Sequence, residues 1–192
     1  RVIDADFNLT DGELELIKNL SEVFHAQNKK FIILLNIGGV IETQSWKNYA
    51  DAILLAWQPG QEAGNAIADV VTGIVNPSGK LTVTFPILIS DVASSKNFPG
   101  KVLNPNEPAP SNFMRGIPAE EIYEEGIYVG YRFFDAFKVN SSYSFGFGLS
   151  YTNFEYSDLN IVQEGDDFMV ECFIKNVGKL AGKEIVQLYV KS

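Results

Sequence analysis

The run Ala52-Ile53-Leu54-Leu55-Ala56-Trp57, cut off by Pro59-Gly60, constrains this chain more than any other stretch. It is unbroken by polar residues and too short for a typical helix, so it reads as a strand buried on both faces, as parallel sheets require. Pro59-Gly60 stops it sharply. Ile67, Val70 and Val71 then recur at helical spacing, which predicts a helix over about 61–72. Asn76-Pro77-Ser78-Gly79 turns the chain toward a second short strand at 81–85. Strand, turn, helix, turn, strand is the unit from which parallel sheets are built.

The preceding residues fit the same layer. Thr10-Asp11-Gly12-Glu13 has the form of a capping box, in which Thr10 accepts from a first-turn amide while Glu13 reaches back to the Thr10 backbone. Leu16, Ile17, Leu20, Val23 and Phe24 mark the apolar face of the helix that follows, to about Ala26. A buried strand is predicted at 31–35, ending at Asn36-Ile37-Gly38-Gly39, with a short helical crossing to 52–57 and a right-handed connection.

Farther along, Pro86, Pro99, Pro105, Pro108, Pro110 and Pro118 stand among Ser, Asn and Gly, so 87–118 reads as a long irregular excursion. Beyond Leu159 the pattern changes to period two. Segments 159–162, 168–174 and 185–190 read as three antiparallel strands, with turns at Asp166-Asp167 and Asn176-Val177-Gly178-Lys179. The fold class is therefore α/β: a partial, mostly parallel layer followed by an all-β start.

Composition excludes more than it identifies. The 192 residues carry a net charge of −9, which argues against nucleic acid or an anionic membrane as partner. No apolar stretch approaches the roughly 20 residues that span a bilayer. Neither end resembles a signal peptide; the compartment stays open, with the cytoplasm favoured over the periplasm or secretion. The single cysteine, Cys172, lies in a predicted strand and is expected to be a small buried core side chain. The single histidine, His25, supports neither a Ser-His pair nor a zinc cluster. Ile37-Gly38-Gly39 lacks the spacing of a nucleotide-binding fingerprint. No metal and no cofactor are expected.

Four ordered motifs cover nearly the whole chain: Trp57-Gln58-Pro59-Gly60-Gln61-Glu62 with Ile67-Ala68-Asp69-Val70; Asn76-Pro77-Ser78-Gly79-Lys80-Leu81 with Thr84-Phe85-Pro86; Tyr123-Glu124-Glu125-Gly126-Ile127-Tyr128-Val129-Gly130-Tyr131-Arg132-Phe133-Phe134-Asp135; and Phe145-Gly146-Phe147-Gly148-Leu149-Ser150-Tyr151-Thr152. Together they closely resemble glycoside hydrolase family 3, the β-glucosidase-type enzymes. The resemblance implies that residues 1–155 are the later part of the family's α/β sandwich domain. It further implies that 156–192 begin a fibronectin-III-like domain, and that an N-terminal (β/α)8 barrel is needed in cis or in trans.

A retaining glycosidase uses two carboxyl groups about 5–5.5 Å apart, one attacking the anomeric carbon and the other protonating the leaving oxygen. The family's Asp nucleophile lies on the barrel. Its Glu acid/base lies in a loop that in many relatives ends in Asp-Arg, shortly before a Phe-x-Leu segment; Arg1 and Phe7-Asn8-Leu9 resemble that tail. Both carboxylates are thus expected N-terminal to Arg1, and no catalytic residue is assigned within the chain. Substrate-binding residues stay unassigned.

Glu62 and the cluster Glu120, Glu121, Glu124 and Glu125 are the local carboxylates weighed against that assignment, and all read as structural or solvated. Tyr123, Tyr128, Tyr131, Phe133, Phe134 and Phe137 have the chemistry to stack on sugar rings, but core packing is the expectation, as it is for Tyr143, Phe145, Phe147 and Tyr151. The reading is a segment of a retaining β-glycosidase, serving as scaffold and outer pocket wall. The alternative is a non-catalytic carbohydrate-binding or interaction module.

Overall fold

The structure is a computed structural model that describes residues 7–104 and 118–190; Arg1 and the prolines at 105, 108 and 110 lie outside the described residues. The described residues fall into two compact units, drawn from 1–57 with 83–145 and from 58–82 with 146–192.

The first unit opens with α1, Asp11–Ala26. The capping box forms as read: Glu13 N donates to Thr10 Oγ1 at 3.3 Å and Thr10 N donates to Glu13 Oε2 at 2.8 Å. Thr10 Oγ1 also donates to Glu13 Oε2 at 2.7 Å; this bond first, and the one from Thr10 N second, favour the charged form and hold the Glu13 carboxyl below its ordinary range. Asn28, at φ +56°, closes the other end, where Lys29 N donates to Phe24 O at 2.9 Å. The inward face differs from the periodicity reading: Leu16 and Val23 are exposed, whereas Ser21 is buried with its Oγ donating to Tyr49 O at 2.7 Å. A hydroxyl can replace an apolar group there because that carbonyl satisfies it.

Strand β1 (Ile32–Leu35) pairs in parallel with β2 (Ala52–Leu55), Ile32 opposite Ala52 and Leu35 opposite Leu55. A single 3₁₀ turn, Lys47–Tyr49, lies in the connection. The parallel pairing is as expected; burial on both faces is not. Ile32 and Leu34 are 48% and 45% exposed, because a strand with one neighbour in a two-stranded sheet has little to cover it.

Asp51 locks α1 to this pair. Its carboxylate accepts from Lys30 Nζ at 2.6 Å and from Phe31 N at 2.9 Å, and meets His25 Nε2 at 2.8 Å. These contacts, Lys30 foremost, hold its pKa far below the usual carboxylate range. A depressed folded-state pKa gives stability that is present above the unfolded value, about 3.9, and is lost as pH falls toward the folded one. Asp51→Asn is therefore expected to lower the melting temperature at neutral pH and to flatten its decline below about pH 4. Thermal melts at stepped pH check this; an acid limb unchanged by the substitution would refute it.

Trp46 and Phe85 centre the core of this unit, at 1% and 2% exposure. Trp46 Nε1 donates to Glu42 O at 2.6 Å, and Phe85 lies edge-on to Tyr143 at 6.2 Å and tilted to Trp57 at 6.1 Å. Here the sequence reading is corrected. The expected parallel strand over 81–85 is a two-residue strand, β3 (Phe85–Pro86), antiparallel to a segment far along the chain. The Pro-rich excursion is partly built: 3₁₀ turns at Ile89–Asp91 and Ala93–Lys96, then β4 (Lys101–Val102) clipped antiparallel to β5 (Ala119–Glu120). Helix α3 (Tyr131–Phe137) follows and buries Phe134; β6 (Ser141–Tyr143) supplies the partner of β3.

The second unit contains α2 (Ala63–Val71) and a long antiparallel hairpin of β7 (Phe154–Glu164) and β8 (Asp167–Asn176). The turn is Gly165-Asp166 rather than Asp166-Asp167, with Gly165 at φ +69°, the left-handed conformation that two-residue hairpins favour. Residues 185–190, expected as a third strand, are not in a strand. With two strands only, apolar side chains point to open faces: Leu159, Phe168 and Phe173 are 68%, 64% and 71% exposed. Cys172 is likewise exposed, not buried.

Candidate functional site

The quoted motifs meet. Asn76 Oδ1 accepts from Tyr151 N at 2.8 Å and from Ser150 Oγ at 2.9 Å, while its Nδ2 donates to Ala181 O at 3.0 Å. Leu81 N donates to Phe147 O, and Gly146 N to Leu81 O, each at 2.8 Å. Lys80 Nζ donates to Gly148 O at 2.7 Å and stands 3.3 Å from Glu184 Oε1, both side chains largely shielded from water. Tyr151 OH donates to Val70 O at 2.8 Å, tying in the end of α2. Each residue type has a physical cause: an Asn amide both donates and accepts, and a Lys chain reaches a carbonyl and a carboxylate together. Two motifs about 70 residues apart thus form one clasp. Neither motif by itself signals that partnership.

The carboxylates weighed as catalytic stand-ins have local work. Glu62 precedes α2 and accepts from Asn65 Nδ2 at 2.6 Å. Glu124 pairs with Lys96 at 2.6 Å, and its hydrogen bonds to Lys96 and Asn97 keep its pKa below the ordinary value. Glu121 accepts from Tyr123 OH at 3.3 Å, and Glu120 lies exposed in β5. Sequence reading passed over Glu42, which is buried and accepts from Ser45 N at 2.7 Å and Ser45 Oγ at 2.6 Å. Its spacing to Ser45 was the available signal. Among the described residues, no three His, Cys, Asp or Glu side chains gather as a metal site.

The aromatic residues divide. Phe134 is buried as expected, and Tyr131 stacks on Phe145 at 4.9 Å. Tyr123, Tyr128 and Phe137 contradict the expectation of core packing: they are 79%, 42% and 57% exposed, as are Phe147 and Tyr151 at 40% and 47%. Helical spacing puts Phe133 and Phe137 side by side, ring centroids 5.0 Å apart, while Phe134 turns inward. Gly126, at φ +56°, turns the chain so that Tyr128 meets Phe137 edge-on at 5.1 Å. These rings line a cleft of about 380 Å³ together with Lys96, Glu124, Glu125 and residues of the two 3₁₀ turns.

Comparison with known proteins is consistent across three measures. Residues 3–131 match the glycosyl hydrolase family 3 C-terminal domain. The thermostable β-glucosidase B of Acetivibrio thermocellus is 40% identical over 188 residues, covering 96% of this chain and 22% of that protein. A β-glucosidase of Ruminococcus albus is 36% identical, covering 98% of this chain and 18% of its own length. The solved β-glucosidase 3B of Thermotoga neapolitana, in complex with glucose, superposes with a TM-score of 0.82 at 50% identity, over 92% of this chain and 23% of that one. The chain therefore spans about a fifth of the length of the relatives it matches. With the motif clasp formed and the family domain matched over residues 3–131, this chain belongs to glycoside hydrolase family 3, in the family's C-terminal domain.

Proposed function

We propose that this chain is the scaffold and outer pocket wall of a retaining β-glucosidase. Residues 1–155 serve as the later part of its α/β sandwich domain, and 156–192 as the start of a fibronectin-III-like domain. The observation that carries this reading is the near-complete match of this chain to about a fifth of several β-glucosidases. The whole enzyme removes terminal β-linked sugars through a covalent glycosyl-enzyme intermediate. Its nucleophile comes from a (β/α)8 barrel and its acid/base from a loop N-terminal to Arg1, so the chain acts with that barrel, in cis or in trans. The local carboxylates support this assignment, since Glu62, Glu42 and Glu124 each bond to a neighbour within the fold.

The chain alone is expected to leave an aryl β-glucoside intact, because the covalent route is lost and a general acid contributes another factor of roughly 10²–10⁴. Fusing it to the barrel and acid/base loop of the Thermotoga relative, in place of the matching segment, is expected to give hydrolysis with retention at the anomeric carbon. A properly folded fusion without hydrolysis, or hydrolysis by the chain alone that Glu62→Gln or Glu125→Gln abolishes, overturns the proposal.

A further inference from the structure

We infer that the cleft between α3 and the two 3₁₀ turns binds a neutral pyranose, with Tyr128 and Phe137 as the stacking wall and Lys96, Glu124 and Glu125 as the hydroxyl-reading wall. Its volume of about 380 Å³ lies within the small-molecule range of about 300–1,000 Å³. The aromatic lining is open: Phe137 and Tyr128 keep much of their ring surface exposed, held in place by each other and by Phe133 rather than by burial. Large aromatic surface contributes most when covered, and the C–H face of a sugar ring covers it without desolvating a hydroxyl.

The same cleft is lined by an amine and two carboxylates. Lys96 and Glu124 form a 2.6 Å pair, and Glu125, half-buried at the cleft, feels the same ammonium. An ammonium donates and carboxylates accept, so the set matches adjacent hydroxyls, each of which does both. Two carboxylates repel an anionic ligand. A purely apolar occupant would take the Lys96–Glu124 pair out of water and offer its remaining donors and acceptors nothing, at a desolvation cost. A simple cation fits the rings and carboxylates but would meet the Lys96 ammonium.

The choice of a sugar rests on reading the chain as part of a glycosidase; the cleft's binding does not require the barrel. The test titrates glucose and cellobiose into the chain and follows saturation transfer and aromatic ring signals by NMR. Saturable binding in the millimolar range is expected, with transfer from the Tyr128 and Phe137 rings to sugar C–H protons. Phe137→Leu and Glu125→Gln are each expected to weaken it about fivefold. Lys96→Ala, at an exposed position, serves as the variant least able to disturb folding, and should weaken binding similarly. No saturable binding overturns the inference, as does sugar binding that all three variants leave unchanged. Binding of tetramethylammonium without binding of either sugar also overturns it, in favour of a cation cage. Because this assay involves no hydrolysis, its failure is separate from failure of the barrel fusion.

Discussion

Trp46→Ala is expected to be the most damaging single truncation in the first unit, lowering its stability by about 3–5 kcal/mol. The indole is 1% exposed, and its Nε1 donates to Glu42 O at 2.6 Å. Removing it leaves a cavity and an unpaired carbonyl in the same place. Trp46→Phe fills most of the volume but loses the bond, so its loss should be clearly smaller. Trp57, the second tryptophan, remains as a fluorescence reporter in the same unit for denaturant unfolding. A midpoint for Trp46→Ala equal to that of the parent chain would show that the indole is not a core anchor.

Gly148→Ala is expected to have the largest effect in the second unit, about 3 kcal/mol or more. An added Cβ would overlap the Gly79 carbonyl oxygen and come within 3.2 Å of Lys80 Cα, both in the opposing motif. Those are backbone atoms held by the clasp, so no side chain can swing away to make room. Gly79→Ala is the matched control: a Cβ there has nothing within 4 Å, and stability should barely change. Hydrogen exchange should show amides around Leu81 and Gly146 losing protection in Gly148→Ala and keeping it in Gly79→Ala. Equal protection in both variants would mean that the close approach is not structurally required.

Local signals were the legible ones. The Thr10–Glu13 box and the apolar spacing after it place α1 at Asp11–Ala26, and the run from Ala52 gives β2. Both rest on residues near one another in sequence. The misreadings come from distant partners. Segment 81–85 had the alternation of a strand, yet Leu81 bonds to Phe147 and Gly146 while Phe85 pairs with Tyr143. Nothing in local periodicity reports a partner more than 50 residues away. Cys172, expected in the core, is exposed for a related reason: alternation shows that a strand has two faces, not that either is covered. In the site, the motifs were visible but not their contact, and the cleft was missed because a row of aromatic residues reads first as core.

The clasp also bears on how much length variation the chain can absorb. Leu81 and Gly146 are held to each other by a backbone hydrogen bond, so 82–145 is a loop whose two ends are pinned side by side. For such a loop the entropy of closure grows only with the logarithm of its length, about 0.6 kcal/mol for each doubling. Within that loop, the β4–β5 clip pins a smaller one in the same manner, with Leu103 N donating to Pro118 O at 3.0 Å. Insertions between 103 and 118 are therefore nested inside two closures and change the entropy of neither by much. A few residues added between Leu103 and Pro118 are expected to leave both pairs of pinned ends as they are.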